Sequence, residues 1–372
     1  MISLEEVRRF TVVRNFPKPT TLKRALHRMG FVQADPIRAP ARAQDLILRH
    51  RVKNYLAGDL ERRYTTLDIE EDFFVNYGYV TRSLHASMHR RSNSRVPADD
   101  IGRSWPVSQR KKAKLLLDFV VSRGAVHPRE VDAHFAHGKV TNYWGGSSNA
   151  TTHLLDAMHY TGMLRIARRE KGVRIYAPND NPPALIDKVE RQTRVDSLID
   201  VAVNIYAPLP AASLAFYVRR LRFAIPQWRN ELSTALQRAK LRLATSCVER
   251  VEWYWPRNET TKISRGKFEL EQDRVRLLAP FDPLVHDRAR FELLWGWSYR
   301  FEAYTPVAKR KLGYYAMPLL WRDRVIGWAN ISIKNSELDA KIGYVKSQPK
   351  DRSFKRALEF EIEQMKEFLK MT

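Results

Sequence analysis

Gly162-Met163-Leu164-Arg165-Ile166-Ala167-Arg168-Arg169-Glu170-Lys171-Gly172-Val173-Arg174-Ile175-Tyr176 is the stretch that decides the fold. Two strand-like runs, Gly162 to Ala167 and Val173 to Tyr176, are joined by a short basic connection that ends in glycine. Three helical segments precede them. Lys111 to Arg123 is amphipathic and stops at Gly124. The second starts at Pro128, with proline in the first turn, where its missing N–H costs nothing. The third, Asn149 to Tyr160, has Ser147 or Ser148 as its cap. Three helices followed by a basic-tipped hairpin describe a winged helix, a unit whose third helix normally enters the major groove. That helix carries Asn149, Thr151, Thr152 and His153 but no arginine. It is a weak reading head, so the unit is expected to act as a scaffold with its wing as a phosphate contact.

The whole chain agrees with a polyanionic partner. Its 372 residues allow two to four modest domains, each with a real core. Hydrophobic content of 44% and charged content of 28% are ordinary for a globular protein. The balance of charge is not: 65 Lys and Arg against 41 Asp and Glu give +24. Nucleic acid is the favoured partner and an anionic membrane surface the rival. The basic residues are spread through folded-looking segments, which favours nucleic acid. One cysteine, Cys247, excludes an internal disulfide and is expected to be buried packing. The N-terminus lacks the features of a signal peptide, and no run of eighteen apolar residues occurs, so a cytoplasmic protein is expected.

Working outward toward the N-terminus, Leu4 to Phe16 and Leu22 to Met29 read as helices, the second capped by Thr20 or Thr21 and stopped by Gly30. Phe31-Val32-Gln33-Ala34-Asp35-Pro36-Ile37-Arg38 follows as a short extended piece, and Ala39 to His50 as a further helix. Residues 55–91 are expected to be mainly helical, with the aromatics of Phe73 to Tyr79 in the core. Arg91 to Ser108 is a linker or exposed crossing, and Asn179 to Pro183 a turn-rich boundary. Helical runs at Ala184 to Ile205, Ala211 to Arg222 and Pro226 to Lys240 fit a third small unit. After about Glu252 the pattern turns strand-like, with Tyr314 to Leu320 and Val325 to Ile333 as strands, and Ser353 to Lys370 closes the chain as a surface helix. The expected domains are 1–105, 106–180, 181–270 and 271–372.

Gln33 and Asp35 stand two apart on an extended backbone, a spacing that points both side chains to one face. Pro36 biases Asp35 away from helix. Arg38, Arg42, Arg49 and Arg51 add positive charge nearby. A polar pair beside a basic surface suits chemistry on a polyanion. The same residues also read as a common Asp-Pro turn, with Gln33 bonding only backbone.

Four further pieces occur in order: Ala41-Arg42, Phe281-Asp282-Pro283-Leu284-Val285-His286-Asp287-Arg288, Tyr299-Arg300-Phe301-Glu302-Ala303-Tyr304-Thr305-Pro306-Val307-Ala308-Lys309-Arg310, and Gly313-Tyr314-Tyr315-Ala316-Met317-Pro318-Leu319-Leu320. Together with Gln33-Ala34-Asp35-Pro36-Ile37 they resemble the winged-helix DNA glycosylases of the AlkZ and YcaQ type. The resemblance covers roughly residues 3–345 and is weakest at 185–275. It implies an α+β fold with three tandem winged-helix units and a C-terminal β-barrel, C-shaped around a DNA channel. It implies excision of alkylated bases from double-stranded DNA, with interstrand crosslinks among the lesions some members unhook. Gln33 and Asp35 match the Gln-x-Asp form of the family's catalytic pair, typical of the YcaQ-like branch. Where members near YcaQ often carry Glu-Tyr-Trp-x-His, this chain has Asn76-Tyr77-Gly78-Tyr79-Val80, a departure that bears on substrate range.

Under this resemblance Asp35 activates water and stabilises an oxocarbenium-like sugar, and Gln33 positions the water. An aspartate of ordinary pKa suffices for that role. Arg38, Arg42, Arg288, Arg300, Lys309 and Arg310 are the expected DNA-binding residues. Asp287 with Arg288, and Glu302 with a lysine, read equally well as structural ion pairs. No cofactor and no metal are expected, and a monomeric, monofunctional, nucleoid-associated bacterial enzyme is implied. The rival readings are a non-enzymatic winged-helix regulator and an RNA-binding or RNA-modifying protein. A regulator needs base-reading side chains on its recognition helix and usually a dimer interface, and neither is obvious here.

Overall fold

Ser3 starts the first helix by a reciprocal cap: its Oγ accepts the Glu6 N–H at 3.2 Å, and Glu6 Oε2 accepts the Ser3 N–H at 2.8 Å. The structure, a computed structural model, describes residues 2–88, 107–135, 139–141, 147–179, 187–262, 274–335 and 337–371. Helix α1, Leu4–Asn15, buries Val7, Phe10 and Val12. Helix α2, Leu22–Met29, is capped by Thr21 and ends at Gly30, whose φ of 70° turns the chain directly into strand β1, Phe31–Gln33. Helix α3, Ala43–Leu48, is shorter than the expected Ala39 to His50. Pro40 disfavours helix at the preceding residue, and Arg42 stays extended as the N-cap.

Next come α4 (Asp59–Arg62), β2 (Ile69–Phe73), β3 (Tyr77–Thr81) and α5 (Arg82–Ser87). The expectation of a mainly helical 55–91 is corrected here. The aromatic and β-branched run favours a pleated surface over a helix, and β2 and β3 form an antiparallel hairpin in which Glu71 faces Tyr79. Two of the aromatics nonetheless serve the core, Phe74 and Tyr79 being almost fully buried.

The remaining elements are α6 (Val107–Arg123), α7 (Pro128–Phe135), the paired β4 (Lys139–Thr141) and β5 (Ser147–Asn149), α8 (Ala150–Tyr160), β6 (Leu164–Glu170), β7 (Val173–Pro178), α9 (Lys188–Tyr206), β8 (Leu209–Pro210), α10 (Ala211–Arg220), α11 (Leu232–Arg242), β9 (Ala244–Val248), β10 (Val251–Trp255), β11 (Val275–Leu277), α12 (Arg288–Trp295), β12 (Met317–Trp321), β13 (Arg324–Lys334), β14 (Glu337–Tyr344) and α13 (Arg352–Leu369). No helix among the described residues is long and apolar enough to cross a membrane. Of the expected linker Arg91 to Ser108, residues 91–106 lie outside the described residues and Val107 and Ser108 belong to α6; of the boundary Asn179 to Pro183, only Asn179 is described.

Two compact units emerge. One gathers Met1–Leu60, Asp196–Arg219 and Ser233–Thr372; the other gathers Glu61–Val195 and Arg220–Leu232. The four consecutive blocks read from the sequence cut across this division, since residues 1–105 and 181–270 are each shared between the two units.

In the second unit, α6, α7, α8 and the β6–β7 hairpin enclose Leu116, Val120, Val131, Leu155, Met158, Ile166 and Tyr176. Thr151, one of the residues on the third helix, is fully buried and donates to Asp132 at 3.0 Å, so it reads no base. The tip of the hairpin turns through Lys171 and Gly172, both at positive φ. Its arginines are not the free phosphate contacts expected. Arg168 pairs with Glu170 at 2.6 Å, and Arg169 makes two bonds to Glu71, at 2.7 and 2.6 Å. Tyr77 donates to the same buried carboxylate at 2.6 Å. Burial pushes the Glu71 carboxyl up, but Arg169, Arg174 and Tyr77 together hold the group below its ordinary value.

In the first unit, β11, β12, β13 and β14 form an antiparallel sheet in that order. Gly343 lies opposite Trp328, and a Cβ there would sit 2.4 Å from the indole, so only glycine admits that ring. The implied C-terminal barrel is met by this open sheet, and no closed barrel occurs among the described residues. At the β11 end, Glu361 of α13 accepts the Leu277 N–H at 2.8 Å, and a side-chain acceptor stands where a further strand would pair. Glu361 also pairs with Arg49 at 2.5 Å. Arg51 makes a two-pronged pair with Asp282 at 2.8 and 3.1 Å. Arg49 and Arg51 are therefore internal charges and add nothing to a basic surface. Cys247, expected in the core, is exposed on β9, opposite Glu252.

Candidate active site

Gln33 closes β1 and is 8% exposed, while Asp35 begins the following loop and is partly open. Asp35 Oδ1 accepts the Ile37 N–H at 2.9 Å, the local turn that an aspartate makes with a backbone amide two residues on. Gln44 of α3, itself 1% exposed, accepts the Asp35 N–H at 3.4 Å. The loop is thus pinned at its backbone and at one carboxylate oxygen. Oδ2 makes no hydrogen bond among the described residues. Burial raises the Asp35 pKa, and the Ile37 N–H pulls it part of the way back. The ordinary value assumed from the sequence is corrected accordingly, because burial is a tertiary property that eight residues do not reveal.

The charge of this carboxylate acts on two tyrosines. The Tyr315 pKa lies well above its ordinary value, first through burial and next through the charge of Asp35. The Tyr304 pKa is raised by burial and then by Asp35 and Tyr314. Tyr315 is 2% exposed, and its hydroxyl has no hydrogen-bond partner among the described residues. Gln44, Tyr304 and Tyr315 were not singled out from the sequence. The signal for Gln44 was a carboxamide within an otherwise apolar helix face. The tyrosines lay in motifs already quoted, without a role.

Arg288 opens α12. It donates to the Val285 carbonyl and lies 4.5 Å from the centre of the Tyr299 ring. Burial lowers its pKa, partly opposed by Tyr299, Tyr217 and Asp287. Asp287 caps the helix, accepting the Arg290 N–H at 3.1 Å, and makes no ion pair with Arg288 among the described residues. Glu302 is held first by backbone amides, with the charge of Lys311 as a lesser influence. Its carboxylate accepts the N–H groups of Lys311, Leu312 and Gly313 at 2.9, 2.7 and 3.2 Å. Burial pushes that carboxyl up, and the three amides outweigh it, leaving the group below its ordinary value.

The cations expected to meet DNA occupy different settings. Arg38, Arg300 and Lys309 are exposed. Arg42 is partly buried at the start of α3. Arg310 is tethered, donating to the Thr305 carbonyl at 2.8 Å and lying 5.1 Å from the Tyr314 ring centre. Arg288 is partly buried.

Two comparisons bear on this arrangement. The chain matches a family model described as DNA glycosylase AlkZ-like over residues 26–368. The structure is similar to that of a Streptomyces sahachiroi DNA glycosylase, AlkZ, with a TM-score of 0.59 and 14% sequence identity, over 99% of this chain and 96% of that one. At that identity the second likeness speaks for the fold alone.

Proposed function

Since this chain belongs to the AlkZ-like DNA glycosylase family, we propose that it hydrolyses the N-glycosidic bond of N7- or N3-alkylated purines in double-stranded DNA, as a monofunctional, monomeric, cytoplasmic base-excision enzyme of the Gln-x-Asp branch. The observation that carries this reading is Asp35, a carboxylate fixed through one oxygen with the other unbonded, two residues from Gln33. Alkylation makes the base cationic and a good leaving group. What the protein must add is stabilisation of positive charge on the sugar and a water on its other face. Asp35 Oδ2 accepts the water's proton while the charge of the group stabilises the sugar. Gln33 holds the water without adding charge. The water oxygen forms the new bond to the anomeric carbon, and the base leaves with the bonding pair. Arg38, Arg42, Arg300, Lys309 and Arg310 bind phosphates, and Arg288, lying over the Tyr299 ring, adds positive charge.

Segments 1–105, 106–180 and 181–270 are proposed as the three winged-helix units, supported by the helix and hairpin order at 107–178. Monoadduct excision is assigned ahead of crosslink unhooking, because the divergent 76–80 segment lies in the β3 hairpin, with Tyr77 bonded to Glu71 and Tyr79 in the core. Incubating the protein with a 7-methylguanine duplex separates the readings. A glycosylase yields free base and an abasic site, a regulator only binding, and an RNA protein prefers the other polymer.

Two further results are expected. With six to ten phosphate contacts, DNA affinity falls roughly 10³- to 10⁵-fold between about 50 and 200 mM salt. Lys309→Ala lowers the slope of log affinity against log salt by about one and leaves sequence preference unchanged; a flat salt response would count against the DNA reading. The second concerns pH. Asp35 must be ionised to act, and its carboxyl is raised. Single-turnover release therefore declines as pH falls, and the decline sets in above the ordinary aspartate value of about 3.9. A rate independent of pH down to that value would remove Asp35 as the titrating base.

A further inference from the structure

From Leu293 to Arg322 the chain holds one acid, Glu302, and five Lys and Arg. That acid is withdrawn from the surface. It is 6% exposed, and its Oε2 gathers three successive N–H groups, those of Lys311, Leu312 and Gly313. Successive backbone N–H groups that converge on one point make an anion-binding concavity. Here the anion is the protein's own carboxylate.

The rest of the loop is fixed around this point. Asn330 of β13 donates from Nδ2 to the Leu312 carbonyl at 2.7 Å, and its Oδ1 accepts the Tyr315 N–H at 3.3 Å. The Thr305 N–H donates to the Glu302 carbonyl at 3.0 Å, and the Lys309 N–H to the Pro306 carbonyl at 2.9 Å. The Arg310 side chain is tied to the Thr305 carbonyl. Lys309 and Lys311 remain exposed. Charge is thus sorted: the one negative group is spent on backbone amides, and the cations stand on a backbone held in one shape.

We propose that Lys309, Arg310 and Lys311 form one preorganised surface for the DNA backbone, with Lys311 as a further phosphate contact and Glu302 as the positioning residue that holds the loop in shape. The inference rests on the DNA-binding reading above. A loop that is ordered before it meets its partner loses less freedom on binding, and that saving appears as affinity. Electrostatics alone assigns Glu302 the opposite part. It is a negative charge on a surface that meets a polyanion, so its removal should tighten binding. The two accounts differ in sign, which makes them separable.

The test compares wild type with Glu302→Ala, Glu302→Gln and Lys311→Ala. Affinity for a fluorescein-labelled, unmodified DNA duplex is measured by anisotropy between about 50 and 200 mM salt. Glu302→Ala is expected to weaken binding about tenfold through the loosened loop. Its slope of log affinity against log salt stays that of wild type, because every cation is still present. Glu302→Gln keeps an oxygen for the amides and stays within about threefold of wild type. Lys311→Ala lowers the slope by about one. The proposal is overturned if Glu302→Ala binds as tightly as wild type or more tightly, if Glu302→Gln tightens binding about tenfold, or if Lys311→Ala leaves the slope unchanged. Should Glu302→Ala fail to fold, the Gln and Lys311 variants decide by themselves. A wild type without affinity for duplex overturns the DNA reading and this surface together. A wild type that binds, with Glu302→Ala binding equally well, overturns the surface alone.

Discussion

Asp35→Asn is expected to cut release of 7-methylguanine by roughly 10²- to 10⁴-fold, the range that a positioned acid–base group supplies, with DNA affinity largely unchanged. The substitution is close to isosteric. Its amide oxygen still accepts the Ile37 N–H, so the turn that holds the loop survives. What disappears is the negative charge opposite the developing oxocarbenium ion and the acceptor for the water's proton. Both are needed only on the way to the transition state, so the loss falls on the chemical step and spares ground-state binding. Gln33→Ala, which leaves the carboxylate charge in place, should cost less. Full excision by the Asn variant would take Asp35 out of the mechanism.

The largest stability effect is expected at Asp282→Ala. Asp282 is fully buried, and both its oxygens engage the Arg51 guanidinium, while Oδ1 also accepts the Leu284 N–H at 3.0 Å. Arg51 lies over the Phe16 ring, donates to the Ile47 carbonyl at 2.7 Å and is itself buried. Removing the carboxylate strands a buried cation, and breaking a buried pair from one side costs about 3–5 kcal/mol. Chemical denaturation followed by tryptophan fluorescence measures this. A loss below about 1 kcal/mol, the worth of an exposed pair, would show that the pair is solvated.

The contrast between these two aspartates marks what the sequence makes legible. Each stands before a proline in a quoted motif, as Asp35-Pro36 and Asp282-Pro283. One is left half open with an unbonded oxygen, and the other is sealed against an arginine 231 positions away in the chain. Local patterns carry the elements that local chemistry fixes. Thr21 and Gly30 bound α2 as read, and the apolar spacing of Phe354 to Met365 marks α13. The hairpin at 69–81 was missed because its aromatic run also suits a buried helix and its partner strand decides the matter. Arg49, Arg51 and Arg169 looked like surface charge because sequence does not name the acids Glu361, Asp282 and Glu71 that receive them. The roles of Glu302 and Asp287 were similarly hidden, since their partners are backbone amides, which every residue but proline offers.

Cys247 has a practical consequence. It is the single thiol of the chain and stands exposed on β9. A maleimide fluorophore will therefore attach at one defined point of the native sequence, without any residue being replaced, and can report DNA engagement by energy transfer to a labelled duplex. The same exposure means that two molecules can join through oxidised Cys247. Mass measurements of the assembly state accordingly belong in reducing buffer, where a covalent pair is not mistaken for a natural dimer.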